Sequence, residues 1–197
     1  MRGVEQIPWV YDALCGALEW SGLGRWRRWL AAGARGRTLD LGGGTGRNHP
    51  HLPAGVRAVG VDPCAQTLAR ARRRSPGALL VRARAEALPF RDGAFDTVVS
   101  GFVLCSVSDP AASLGEVRRV LAPGGALRLL EHVRSARPAW ARLQDWIQPT
   151  WTAVSGGCHP NRETGRAVER AGFSIEGEGR RASESVLRFQ ARPPEGG

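Results

Sequence analysis

The sequence predicts an α/β domain in which a largely parallel sheet carries helices on both faces, and three observations carry that prediction. After residue 36, short apolar runs alternate with amphipathic segments, each with its own start signal. The first run ends in an acid and a glycine-dense turn, Thr38-Leu39-Asp40-Leu41-Gly42-Gly43-Gly44-Thr45-Gly46. The second, Val59-Gly60-Val61-Asp62, ends in another acid. A ligand crevice in such a sheet lies outside the carboxyl ends of the strands, where both acids fall.

The elements follow in order. The stretch from Val10 to Ala32 predicts one or two amphipathic helices carrying Trp20, Trp26 and Trp29, as a cap on the domain. Residues 37–41 read as the first strand, and 46–52 as a short helix with Pro50 tolerated in its first turn. A strand at 58–61 leads to a helix over 63–74, capped by Asp62 and begun by Pro63, and then to a strand at 79–81. Gly93 marks the turn before a strand at 97–100. Asp109-Pro110 opens a helix in which Leu114, Val117 and Leu121 recur at helical spacing, and Pro123-Gly124-Gly125 stops it. A strand at 126–131 precedes a helix from Pro138 that places Trp140, Leu143 and Ile147 on one face. After Gly156-Gly157 come a helix at 162–171 and strands at 173–175 and 185–190. The 197 residues make one domain: a cap over 1–35, a core over 36–192 and a disordered tail over 193–197.

The glycine turn reads as a nucleotide-cofactor cradle, because Gly42, Gly44 and Gly46 let the chain turn sharply and let a ligand approach main-chain N–H groups. Asp62 lies 20 residues after Gly42, where a carboxylate can accept the hydroxyls of a ribose. A dinucleotide fingerprint would need glycine at 47, and that position is Arg47. Asp40 just before the turn suits a cationic ligand better than a pyrophosphate. S-adenosylmethionine, with a sulfonium, an ammonium and a ribose but no phosphate, gives both acids a partner.

Composition narrows the alternatives. All 28 basic residues are arginine, and the net charge is +10. Arginine enrichment without lysine fits a nucleotide-composition bias, so the clusters Arg25–Arg28 and Arg70–Arg74 read as solvated helix faces and no nucleic-acid partner is expected. Without lysine, the chain holds no Walker-type phosphate loop, Schiff-base lysine or kinase lysine. Cysteines at 15, 64, 105 and 158 form no C-x-x-C pair, and the histidines at 49, 51, 132 and 159 show no ligand spacing, so no metal site and no disulfide framework are expected. No apolar run reaches 18 residues and the first residues lack a signal-peptide core, which predicts a cytoplasmic protein.

Four motifs in order then carry a resemblance over residues 36–175: Leu39–Asn48, Ala85-Glu86-Ala87-Leu88-Pro89-Phe90, Phe95-Asp96, and Arg118-Arg119-Val120-Leu121-Ala122-Pro123-Gly124-Gly125. The chain resembles a class I S-adenosylmethionine-dependent methyltransferase of the methyltransferase type 11 kind. The resemblance implies a Rossmann-like, doubly wound, seven-stranded sheet, mostly parallel with a reversed last strand. It also implies the glycine turn under the methionyl group, Asp62 on the ribose and Ala85-Glu86 beside the adenine. The implied cofactor-binding set is Tyr11, Asp40, Gly42, Gly43, Gly44, Gly46, Asn48, Asp62, Pro63, Ala85, Glu86 and Ser100. The segments Phe102–Val107, Leu130-Glu131-His132-Val133 and Gly156–Thr164 resemble the branch of thiol methyltransferases and small bacterial relatives, near phospholipid N-methyltransferases and quinone C-methyltransferases. Two departures stand out: Arg84 occupies the place of an adenine-binding acid, and the apolar membrane anchor of the branch's animal members has no counterpart here.

For the acceptor, His132 and His159 are the candidate bases, since both are expected over the methyl side and histidine titrates near neutrality. Cys158 reads as a small packed residue ahead of a reactive thiol. Tyr11 and the cap tryptophans could line an apolar acceptor pocket, and an Arg/Trp-rich cap allows peripheral membrane contact as a minority reading. The expected activity is methyl transfer to a small molecule, with a thiol or other soft nucleophile ahead of amine, quinone, phenol and phospholipid acceptors. Ser100-Gly101-Phe102-Val103 in place of an Asn/Asp-Pro-Pro-aromatic run argues against base methylation. A non-catalytic cofactor-binding module is the alternative of a different class.

Overall fold

The computed structural model describes residues 22–194; Tyr11, Cys15, Trp20 and the last three residues of the expected tail lie outside them. Within this span, helix α1 (Gly24–Ala32) precedes strand β1 (Arg37–Leu41), a single 3₁₀ turn (His49–His51), β2 (Arg57–Val61), α2 (Ala65–Arg74) and β3 (Leu79–Val81). Then follow β4 (Phe95–Gly101), α3 (Pro110–Val120), β5 (Leu121–His132), α4 (Pro138–Ser155), α5 (Thr164–Arg170), β6 (Ser174–Ile175), β7 (Arg181–Ala182) and β8 (Val186–Arg192).

One sheet runs in the order β3-β2-β1-β4-β5-β8-β6, with β7 on β8. The strands β1 to β5 pair in parallel, and β8 is antiparallel to β5, β6 and β7. The reversed last strand is therefore present, and β7 adds an eighth strand to the seven expected. Strand β1 is central: Leu39 and Leu41 are fully buried with Val98, Leu127, Leu129 and Phe189 in the main core. The opposite face buries Val99 and Leu130 under Leu30 of α1, with Trp26 and Trp29 at the edge. Alternate residues thus serve alternate faces, as a strand covered on both sides requires.

Helix α1 is tied down at its carboxyl end. Arg128, from β5, donates through Nε to the Leu30 carbonyl and through NH2 to that of Trp29, filling orphan acceptors of the last turn. Its guanidinium also stacks 4.1 Å from the Trp29 ring centroid. Burial pushes the Arg128 guanidinium down to about 10.

Several elements differ from expectation for local reasons. The helix expected over 46–52 shrinks to the 3₁₀ turn, since Gly44 and Gly46 hold φ values of +53° and +77°, outside the right-handed helical region, and Pro50 follows at once. Helix α2 begins at Ala65 with Cys64 as its N-cap, so Asp62 is not the cap. Its Oδ1 still accepts from the Cys64 N–H and from the Thr67 hydroxyl. Strand β5 starts five residues early: Leu121 pairs with Phe95, and the register then slips so that Ala126 faces Thr97. Gly124, at φ +73°, lets the chain make that slip. Helix α4 turns Trp140, Leu143, Trp146, Trp151 and Val154 to solvent, with Trp146 80% exposed, and buries Ala141, Gln144 and Ser155 instead.

Candidate active site

A cleft of about 630 Å³ opens at the carboxyl ends of β1, β2, β4 and the segment after β3. Its first wall holds Gly42, Gly44, Asp62, Pro63, Ala85 and Glu86. At Gly44 an added Cβ would find no atom nearer than the Gly42 carbonyl at 3.8 Å and Asp62 Oδ2 at 4.0 Å. A side chain there would fill the cleft, so glycine keeps the space for a ligand. Gly42 is a different case: its Cβ would come within 2.3 Å of Val103 Cγ2, so glycine there permits close packing of the turn on the loop after β4.

Asp62 is ordered by its own neighbourhood. Besides Cys64 and Thr67 on Oδ1, the Gly44 N–H donates to Oδ2 at 3.1 Å. A carboxylate has about four acceptor positions, so one remains, on Oδ2. Burial pushes this carboxyl up, against the three donors that pull it down. Glu86 is bound from one side by Arg84 Nε at 3.5 Å and from the other by the Ser108 N–H at 3.1 Å. Burial raises the Glu86 carboxyl, but the backbone N–H donors and Arg84 outweigh it and leave it below its ordinary value. Arg84 also donates to Ser108 Oγ at 2.9 Å, so it bridges the segment after β3 to the loop after β4.

The second wall is Gly101, Phe102, Val103, Ser106, Val107, Ser108 and Gly156, apolar but for two hydroxyls. Phe102 sits at φ +60°, the one non-glycine residue in that region among those described. Glu131, at the end of β5, holds this loop from below. The carboxylate is wholly buried and accepts from the N–H groups of Val103 at 2.9 Å and Leu104 at 3.0 Å on Oε1, and of Cys105 at 3.1 Å on Oε2. Burial raises its carboxyl in spite of these donors. Arg162 donates to the Leu104 and Val107 carbonyls at 2.6 and 2.8 Å, closing the same loop from the far side.

The residues expected to bind cofactor therefore divide. Gly42, Gly44, Asp62, Pro63, Ala85 and Glu86 line the cleft, whereas Asp40, Gly43, Gly46, Asn48 and Ser100 stand behind it. Asp40 is fully buried and its oxygens meet Asn48 Nδ2 at 2.7 Å and His49 Nε2 at 3.3 Å. It braces the turn from beneath, and Asn48 in turn accepts from Arg27 of α1 at 2.8 Å. Ser100 Oγ lies 3.4 Å from Glu131. His132 stacks on Phe102, with ring centroids 4.6 Å apart, and turns Nδ1 toward Cys158 and Cys105. His159 is off the wall: its Nδ1 meets Gln148 Nε2 of α4 at 3.0 Å, and burial lowers its ring below the ordinary histidine value. Cys158 is pulled well below an ordinary thiol by the neighbouring Cys105 thiol and by His132, and Cys105 is pushed up. Glu131 and His49 were not singled out as site residues from the sequence. The acid following Leu129-Leu130 at the end of a strand was the signal for Glu131, since a carboxylate in an interior strand must find donors.

A methyltransferase-domain family model matches residues 39–129, which span β1 to β5 and most of both walls. The human thiol S-methyltransferase TMT1B is 38% identical over 152 residues, 72% of this chain and 62% of that protein. The demethylmenaquinone methyltransferase of Beutenbergia cavernae is 39% identical over 143 residues, 66% of this chain and 58% of its own. A solved S-adenosylmethionine dependent methyltransferase from Mesorhizobium loti superposes with a TM-score of 0.66 at 25% identity, covering 91% of this chain and 99% of its own. This chain belongs to the class I S-adenosylmethionine-dependent methyltransferases. It spans about three-fifths of the length of the curated relatives named above. The [4+2]-cyclase SpnF shares the fold alone, at a TM-score of 0.72 and 19% identity over 98% of each chain. Membership of this family implies S-adenosylmethionine as the cofactor, and the first wall fits its ribose. The space above Gly44 and the one acceptor position left on Asp62 suit a ribose, whereas Asp40, expected to meet a cation, is spent on Asn48 and His49 behind the wall.

Proposed function

We propose that the domain transfers a methyl group from S-adenosylmethionine to a small-molecule acceptor, with a thiol or other soft nucleophile ahead of amine, quinone or phenol and phospholipid acceptors. The observation that carries this is one cleft with two unlike walls, an acid-and-glycine wall against an apolar one. Gly42, Gly44, Asp62, Pro63, Ala85 and Glu86 would hold the cofactor, with Asp40 and Asn48 fixing the turn. When bound, S-adenosylmethionine supplies an electrophilic methyl group on a sulfonium. The chain's own part is to orient and to exclude water: Phe102, Val103 and Val107 present apolar surface to the acceptor, and Glu131 fixes the loop that carries them. Of the two candidate bases, His132 lies next to Phe102 with Nδ1 turned to the two cysteine sulfurs, whereas His159 faces α4. The thiol preference draws on the likeness to the thiol S-methyltransferase TMT1B, and the quinone alternative on that to the demethylmenaquinone methyltransferase.

Among the described residues no helix is long and apolar enough to cross a membrane. The solvent-facing stripe of α4, Trp140, Leu143, Trp146, Trp151 and Val154, supports peripheral contact with a lipid surface and so keeps an apolar or lipid acceptor as the second reading. We place the protein in the cytoplasm on the same reading. Calorimetric titration with S-adenosylmethionine and its demethylated product, with NAD as control, followed by a panel of thiols, amines, quinols and phospholipid vesicles, tests the proposal. Saturable binding and thiol turnover are expected. Binding without turnover of any class would establish a cofactor-binding module instead.

A further inference from the structure

We infer that Cys105, His132 and Cys158 form a binding site for one soft divalent cation of the zinc class. The three come from separate elements: the turn after β4, the end of β5 and the loop after α4. The Sγ atoms lie 3.6 Å apart, and His132 Nδ1 stands 3.4 Å from the Cys158 sulfur and 3.9 Å from that of Cys105. Bonds of about 2.3 Å to sulfur and about 2.0–2.1 Å to nitrogen at tetrahedral angles put two sulfurs about 3.8 Å apart, and sulfur and nitrogen about 3.5–3.6 Å apart. The triangle agrees within a few tenths of an ångström, with no movement of backbone. A disulfide would need the sulfurs at about 2.05 Å.

The donors also have the right chemistry and support. Two thiolates and an imidazole select zinc-class ions over calcium or magnesium, which take oxygen. Two thiolates neutralise a divalent ion, which suits a place where both cysteines are wholly buried beside the Glu131 carboxylate. Both cysteines are held through their own backbone groups. The Cys105 N–H donates to Glu131, the Cys105 carbonyl accepts from the His159 N–H at 2.7 Å, and the Cys158 carbonyl accepts from Thr152 Oγ1 at 2.9 Å. Such outer contacts are what orient metal ligands.

Three protein donors leave a fourth position, the arrangement of sites that accept an exogenous ligand. The cluster adjoins the cleft through two wall residues: Phe102 meets His132 in a tilted ring contact, and Ser106 Oγ lies 3.6 Å from the Cys105 sulfur. Resting on the thiol reading above, the fourth ligand is the acceptor thiol, bound as thiolate with its proton released to water. His132, as a ligand through Nδ1, then positions the metal and is not the base.

The test uses the full chain, purified under reduction, loaded with Zn²⁺ or Co²⁺ and freed of excess ion. One metal per chain is expected by elemental analysis. The Co²⁺ form should show thiolate charge-transfer absorption and the ligand-field bands of a tetrahedral site. Cys105→Ser and Cys158→Ser should each weaken binding by more than about 100-fold while remaining folded by circular dichroism, and Cys64→Ser should keep the metal. Absence of tight binding, a Cys105–Cys158 disulfide in the isolated protein, or full stoichiometry in Cys158→Ser would overturn the site. A small alkyl thiol should shift the Co²⁺ ligand-field bands. With metal bound and no shift, the acceptor role falls while the metal site stands. Neither result touches cofactor binding, which calorimetry reads separately.

Discussion

The two walls of the cleft are built by different means. The glycine-turn part of the first wall is local: Gly42, Gly44, Asp62 and Thr67 lie within 26 residues, and Asp62 is satisfied by N–H and hydroxyl groups from that same stretch. The second wall is assembled at long range, with Glu131 reaching across 26 to 28 residues to the loop after β4 and Arg162 across 55 to 58. Asp62 keeps one acceptor position for a ligand, whereas Glu131 spends its oxygens on the protein's own backbone. Damage to the first wall should therefore appear as lost affinity, and damage to the second as lost stability.

The largest effect should come from Glu131→Ala, which strands three buried N–H groups. We expect a loss of roughly 3 kcal/mol, about 6–12 °C in Tm for a domain of this size. Thermal denaturation reads it, and a change under a degree would show that the loop holds itself. Asp62→Ala comes next, with cofactor affinity weakened roughly 10- to 150-fold, the equivalent of losing a charged hydrogen bond. Calorimetry showing equal affinity would break the division between walls. A glycine pair sharpens it further. Gly42→Ala combines left-handed strain with a 2.3 Å approach to Val103 and should cost roughly 2 kcal/mol of stability. Gly44→Ala carries only the strain, about 1 kcal/mol, yet its methyl enters the cleft and should weaken cofactor binding more than Gly42→Ala does.

The smallest effect lies at the opposite end of the sheet and serves as a reference. There Asp96 accepts from the Arg37 N–H at 2.8 Å and pairs with its guanidinium at 2.7 Å, which holds the carboxyl at about 2 against an ordinary 3.8. A lowered folded value means that the contribution is complete above pH 3.8 and disappears as pH falls through about 2. The Tm gap between wild type and Asp96→Asn should close over that window, and a gap constant with pH would show that charge plays no part. Both side chains are about two-fifths exposed, so the gap should be small at any pH.

Local encoding also decided what could be read from the sequence. Strand β1 falls where its apolar run predicts, and Asp109 caps α3 through the N–H groups of Ala111 and Ala112 as its place before Pro110 implied. The Gly-turn wall and Asp62 were legible because their spacing is fixed within one βαβ unit. The helix over 46–52 failed because Gly46 and Pro50 each outweigh the surrounding pattern. Strand β7 is two residues long and is formed only by pairing with β8. The outward face of α4 was invisible because periodicity shows a stripe but not which side of it meets the sheet. Cys105, His132 and Cys158 carry no linear signature at all: separations of 27 and 26 residues become contacts only once β4 and β5 lie side by side and the loop after α4 bonds back to Cys105 through the His159 N–H.

Phe102 carries a consequence for engineering. A bulky residue at φ +60° bears roughly 1–2 kcal/mol of backbone strain, held in place by its N–H donating to the Leu130 carbonyl at 2.7 Å and by the carboxylate beneath the next turn. Glycine at that position would relax the main chain and remove the ring that covers His132. Selection for thermostability would meet opposing effects at residue 102, relief of strain against loss of the packing that Phe102 makes on the Leu30, Val99 and Leu130 cluster, and a glycine variant would in either case have lost the aromatic surface of the second wall.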